Sequence, residues 1–327
     1  MPMGNVRTRC YRRGVLDTED FPLADVSEHL GEPDALVWVD LVHPSPEDLS
    51  SLTTELGLHE LAVEDVLEPH QRSKIDRYPG HLFLACHAVR FDRAQAHLDK
   101  VEVDAFIGPR WLVTVRSSDD YPLDRVLRRW DDNPGLVSQG AGALVYGLLD
   151  DVVDGYFTVI EELDDYYEVV ADAVFSDHPL RPDQQREWFE MRRVLSMFHR
   201  LVLPLREALS GLVRHEHELV EPEVLPYWQD LYDHVLVVSE TTDSLRDLVG
   251  SLVEANLSLR DFRQNQVMKK VSSWAAIVAA PTLITGYYGM NVPFPGSGET
   301  AGVWVASVVI AVVTVALYVL FRRKDWL

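Results

Sequence analysis

The side chains of this sequence best equipped for chemistry are oxygen donors. Glu161, Glu162, Asp164, Asp165 and Glu168 form one carboxylate run, Asp230 and Asp233 stand three apart in a helical stretch, and Asn291 follows Gly289-Met290 at the end of a long uncharged segment. Carboxylates and amide carbonyls are hard ligands and suit hard divalent cations. The five-carboxylate run reads as a solvated helix face that concentrates cations. His215-Glu216-His217-Glu218 has the residue types of a zinc site, but histidines two apart do not share a helix face and no second ligand pair accompanies them. Gly140-Ala141-Gly142 lacks the third glycine of a dinucleotide loop and the Lys-Ser/Thr of a P-loop, and reads as a linker before a helix starting at Ala143. No nucleophile and base pair up in the sequence, so neither an enzyme nor an organic cofactor is expected. Cys10 and Cys86 are too few and too far apart for a disulfide framework, and a reducing compartment fits.

Charge divides the chain. Of its 327 residues 52 are acidic and 30 basic, a net −22 that argues against nucleic-acid partners. Residues 1–268 carry 50 acids and 25 bases, whereas residues 269–327 carry two acids and five bases. The almost uncharged tail holds two runs without a formal charge, Val271 to Tyr288 and Ala301 to Phe321, of 18 and 21 residues. Each approaches the ~20 residues that cross ~30 Å of hydrocarbon. Val305 to Phe321 is apolar all round, as a lipid-exposed helix must be and a one-sided core helix is not. Trp274, Tyr287, Tyr288, Trp304 and Trp326 stand near the ends of the runs, where amphipathic rings prefer the headgroup layer. Lys269 and Lys270 flank the first span and Arg322, Arg323 and Lys324 the second, while the connection from Asn291 to Gly302 has no basic residue. The positive-inside rule then places both termini in the cytoplasm and the short connection outside. The first twenty residues have arginines but no apolar core of a secretory signal.

Elements that would position these groups follow from periodicity. Residues 36–42, 82–91 and 101–115 are rich in β-branched and aromatic side chains and read as strands. Ser45-Pro46-Glu47-Asp48 resembles a helix start. Residues 143–175 and 184–216 are amphipathic with a helical period. From Tyr227 to Met290 the only proline is Pro281, and 64 continuous helical residues would make a rod of roughly 96 Å. Its apolar positions Leu231, Val235, Val238, Leu245, Leu248, Leu252 and Leu259 suggest a bundle with copies of itself. A break at Gly250 is the alternative. On the first span and its approach, Asn265, Met268, Ser272, Ala275, Ala279, Thr282 and Gly286 recur every three or four residues and form one face without a carboxylate. That face reads either as a pore lining or as a small-residue helix contact.

The segment Pro281-Thr282-Leu283-Ile284-Thr285-Gly286-Tyr287-Tyr288-Gly289-Met290-Asn291, closing the first of two C-terminal spans, resembles the CorA family of magnesium and cobalt transport proteins. Trp38-Val39-Asp40-Leu41, His59-Glu60-Leu61-Ala62-Val63-Glu64-Asp65, Gln71-Arg72-Ser73-Lys74 and Tyr227-Trp228-Gln229-Asp230-Leu231-Tyr232-Asp233-His234 are similar to the family as well, so the resemblance covers nearly the whole chain. Two departures stand out. Ser73 takes a position where the family often has proline, and the connection after Asn291 has lost the commoner Met-Pro-Glu pattern, with Glu299 as its one acid.

The resemblance implies a homopentameric funnel: a cytoplasmic α/β domain, a long stalk helix and two transmembrane helices. The first span would line the pore and the second would face lipid. It implies Gly289, Met290 and Asn291 as selectivity filter and Asp230 and Asp233, with Asp92 from a neighbouring subunit, as a regulatory Mg²⁺ site; for these three a plain solvated acidic face remains the alternative. Expected boundaries are 1–135 for the α/β domain, 136–226 for a helical layer, 227–290 for the stalk and first span, 291–300 for the external loop, 301–321 for the second span and 322–327 for a basic tail. The expected function is passage of hydrated Mg²⁺, with Co²⁺ and Ni²⁺ as further ions, across a bacterial inner membrane, with Mg²⁺ both transported and regulatory. Mg²⁺ sheds water reluctantly, so neutral oxygens touching its water shell suit such a path better than charges that strip it. Competing readings are a proton-coupled Zn²⁺ transporter on the same scaffold and a membrane-anchored enzyme or scaffold.

Overall fold

The structure, a computed structural model, describes residues 5–68, 71–176, 181–215, 222–290 and 299–327. It divides into two compact units, Met1–Gly250 and Ser251–Leu327.

The first unit is built on a seven-stranded sheet. Its strands are β1 (Asn5–Arg12), β2 (Val15–Glu19), β3 (Ala35–Val42), β4 (Lys74–Tyr78), β5 (His81–Asp92), β6 (His97–Ile107) and β7 (Trp111–Arg116), in the order β2-β1-β3-β7-β6-β5-β4. Among these strands only β3 and β7 pair in parallel. The expected strands at 36–42 and 82–91 are present. The stretch 101–115 is two strands rather than one, because proline cannot donate to a ladder and Gly108-Pro109 therefore turns the chain. The Gly108 amide donates to the Trp111 carbonyl (2.9 Å). A Cβ at Gly108 would lie 2.1 Å from the Trp111 ring, so only glycine lets that indole fold back over the turn. The edge strands β2 and β4, and β1 next to β2, lie outside the expected strands.

Between β2 and β3 lies α1 (Val26–Leu30), and between β3 and β4 lie α2 (Pro46–Leu56) and α3 (Glu60–Leu67). The start at Ser45 is a capping box: the Ser45 hydroxyl accepts from the Asp48 amide (3.2 Å) and the Asp48 carboxylate accepts from the Ser45 amide (2.9 Å). Leu49, Leu52 and Ala62 from this layer bury against Val37, Val39, Leu41, Phe83, Phe106 and Val113 of the sheet. The opposite face carries α4 (Asp124–Asp132), α5 (Pro134–Val137), α6 (Ala141–Phe175) and α7 (Pro182–His215). The expected linker shrinks to Gly140, at φ 108°, because Ala141 and Gly142 already belong to α6.

Helix α8 (Leu225–Tyr288) is continuous through Gly250, so the alternative of a break there is excluded. In the second unit, the end of α8 and α9 (Thr300–Arg323) are, among the described residues, the two helices long and apolar enough to cross a membrane.

Candidate ion path and interfacial carboxylates

Every residue of the predicted pore face (Asn265, Met268, Ser272, Ala275, Ala279, Thr282 and Gly286) lies on α8 and is exposed in the single chain. Between residues 265 and 290 the buried positions are Ser273 and Ile277. At about 3.6 residues per turn these fall on the opposite side of the helix. Among the described residues the small, uncharged face is thus left exposed. Hydroxyls on and beside it bond their own backbone, Thr282 Oγ1 to the Val278 carbonyl and Thr285 Oγ1 to the Thr282 carbonyl, both at 2.9 Å.

Gly289 and Met290 follow the end of α8 and are exposed; Asn291 lies outside the described residues. The Gly289 amide donates to the Thr285 carbonyl at 2.9 Å, and a Cβ there would stand 3.1 Å from the same oxygen. The helix therefore ends in a tight turn at the position that introduces Asn291. At the far end of α9, Arg322, Arg323 and Lys324 sit at a helix C-terminus, where positive charge is favoured. The Trp326 ring folds back to stack on Phe321 (centroids 5.8 Å apart).

Asp230 and Asp233 are exposed on α8. Asp230 lies 3.9 Å from His234 Nε2, one helical turn along. The ring of His234 meets Phe157 of α6 edge-on (5.8 Å), and Tyr227 packs on Tyr146 (5.3 Å), so two aromatic contacts hold this turn of α8 on α6. Asp92 ends β5, where its carboxylate accepts from the Gln95 amide (3.1 Å) and shapes the β5–β6 turn. Among the described residues no three His, Cys, Asp or Glu side chains come together as a metal site, so one chain does not unite Asp92, Asp230 and Asp233. Of the His-Glu-His-Glu sequence, residues 216–218 lie outside the described residues.

Residue-type reasoning passed over two carboxylates beside this turn. Asp150 and Asp151 are buried on α6, paired with Arg129 and Arg125 of α4. Burial pushes Asp150 upward although Arg129 opposes the shift, and His234 of α8 also acts on it electrostatically. The available signal was two adjacent acids in an apolar helical run, preceded by arginines four apart.

Comparison with known proteins follows the same outline. The chain is 30% identical to the cobalt/magnesium transport protein CorA of Thermotoga maritima, over 96% of this chain and 90% of that protein. Its fold matches the complete structure of the CorA magnesium transporter from Methanocaldococcus jannaschii (TM-score 0.79, 21% identity), covering 100% of this chain and 99% of that one. The cytoplasmic domain of ZntB from Vibrio parahaemolyticus shares the fold at 14% identity (TM-score 0.59), over 80% of this chain and 99% of that one. The profile described as "CorA-like Mg2+ transporter protein" matches residues 33–323, and by that span the chain belongs to this family.

Proposed function

We propose that this chain is one subunit of a homopentameric channel that passes hydrated Mg²⁺, with Co²⁺ and Ni²⁺ as further ions, and closes when cytoplasmic Mg²⁺ bridges its subunits. The observation that carries the reading is the exposed, carboxylate-free face of α8 that leads to Gly289-Met290-Asn291. Five such faces around an axis present hydroxyls and amides to a water shell, and Asn291 contributes a ring of neutral amide oxygens at the mouth. A divalent ion gains ~4.6 kcal/mol from 100 mV of membrane potential, at ~2.3 kcal/mol per charge, so entry needs no further energy source. Asp230 and Asp233 of one subunit and Asp92 of the next supply the regulatory oxygens. Five acidic cytoplasmic parts bring about −125 of charge together, and bound cations relieve that repulsion.

The test is Mg²⁺ uptake by purified protein in liposomes, with and without a membrane potential. Wild type should load Mg²⁺ faster when the interior is negative. Asn291→Ala should remove most of the flux while the protein still elutes as the wild-type oligomer. Selective Mg²⁺ uptake by a well-assembled Asn291→Ala protein would refute the filter. Zn²⁺ uptake that requires a proton gradient, without Mg²⁺ competition, would establish the zinc-transport reading instead.

A further inference from the structure

The sheet face beneath α2 and α3 carries an unexpected polar inclusion. Asp104 of β6 is paired in register with Ala85 of β5 and Val115 of β7, and its side chain therefore shares a face with Phe83, Phe106, Val113 and Val115. It is only 5% exposed, and no group among the described residues hydrogen-bonds its Oδ1. At that oxygen a carboxylate has no donor among the described residues to offset its desolvation.

Among the described residues, no charged or titratable neighbour makes a direct ion pair with Asp104. Glu102 lies two residues away on the same face of β6, and its carboxylate accepts from the Gln71 amide (2.8 Å). His87 of β5 stands opposite Glu102 in register and meets the Ser73 hydroxyl (3.5 Å). Cys86 of β5 is a thiol pushed up by burial and, to a lesser degree, by Asp104 and Glu102. Lys74 of β4 is held by Asp65 of α3 (2.7 Å) and by Asp76 of β4 (2.8 Å). β7 presents Val115 and no charge here. The Lys74–Asp65 bond ties α3 to β4, a five-residue strand at the edge of the sheet.

We propose that Asp104 is carried as the neutral acid, and that loss of its proton to solvent is a pH-sensitive switch that loosens the α3 and β4 flank by drawing Lys74 away from Asp65. Burial, helped by the negative Glu102, pushes Asp104 up to about 8 from an ordinary 3.8. The acid is thus held more tightly in the packed flank than in an opened one. The stability it lends is complete below about pH 4 and is lost as pH rises towards about 8. Within that window opening should become about tenfold more frequent per pH unit.

Hydrogen exchange of the full-length protein in detergent tests this, comparing wild type with Asp104→Asn at the same pH so that intrinsic exchange cancels. Peptides of α3 and β4 should lose protection in wild type relative to the variant by roughly tenfold per pH unit between about pH 5 and about pH 7. Infrared spectra should show a protonated-acid carbonyl band in wild type at neutral pH that is missing in Asp104→Asn. If that variant does not fold, Glu102→Gln serves, since removing the neighbouring charge should move the loss of the band to lower pH. A protection ratio that does not change with pH, or no acid band at neutral pH, would overturn the proposal and leave Asp104 a carboxylate hydrated within the fold.

Discussion

Asp40 shows how much one buried side chain can organise. Its carboxylate accepts from Arg116 Nη2 (2.6 Å) and from Thr114 Oγ1 (2.7 Å), and Thr114 in turn accepts from Trp38 Nε1 (3.2 Å). Arg116 passes its remaining donor Nη1 to the Tyr121 carbonyl (2.6 Å), so the ion pair is satisfied on both sides. Both partners are almost completely buried. The net worth of such a pair is small, because desolvation offsets most of the attraction, but breaking it leaves an uncompensated charge in the core. Asp40→Ala should therefore destabilise the first unit by about 3–5 kcal/mol, seen as a large fall in the thermal midpoint of the purified protein. A change under about 1 kcal/mol would mean that Arg116 finds solvent, contrary to its burial here.

The packing of α4 on α6 depends on a missing side chain. Trp130 of α4 packs edge-on against Trp38 (5.3 Å), and its Nε1 donates to the Leu144 carbonyl (3.2 Å). The indole fits because residue 147 is glycine: a Cβ there would approach Trp130 Nε1 to 2.6 Å. Gly147→Ala gains about 1 kcal/mol of helix propensity but should lose about 1–3 kcal/mol to overpacking, a net destabilisation with a weakened indole hydrogen bond. Gly211 of α7 has open space around its Cβ position, so Gly211→Ala should stabilise by about 0.5–1 kcal/mol. Denaturant midpoints of the two variants should move in opposite directions. Equal shifts would show that α6 moves aside at little cost.

Two experiments address the assembled molecule. Basic residues flank both membrane-competent helices at one end and are absent from the connection between them. Cysteines placed at Ser297 and after Leu327 should accordingly react with an impermeant reagent from opposite sides of intact cells, and reaction of both from outside would reverse the orientation. The proposed gating depends on carboxylates that meet between copies of the chain. In a single chain Asp230 is an exposed carboxylate beside His234, and no three-ligand group forms around it among the described residues. Asp230→Ala should remove one hard ligand per subunit, so that high cytoplasmic Mg²⁺ closes the channel less completely and protects the stalk less from protease. Unchanged Mg²⁺ dependence of flux and of protease protection would remove Asp230 from the site and direct attention to Asp233 and Asp92.

What the sequence determined by itself is what depends on local or compositional physics. The two spans follow from uncharged length, the start of α2 from a capping box contained within four residues, and α8 from an interval in which Pro281 is the one proline. The face Asn265 to Gly286 was legible because helical period places its members together whatever surrounds them. Tertiary structure decided the rest. β4 carries charge and half-buried positions at the sheet edge, so its composition does not announce a strand, and β6 and β7 are divided by a turn whose glycine is explained by the ring of Trp111. Asp40 and Asp104 are both aspartates in apolar strands, alike in sequence. Pairing between strands distant along the chain brings Arg116 to Asp40, while the cation near Asp104 is held by Asp65 and Asp76. Whether a buried carboxylate is an ion or an acid depends on what lies across the sheet, and a linear pattern does not contain that neighbour.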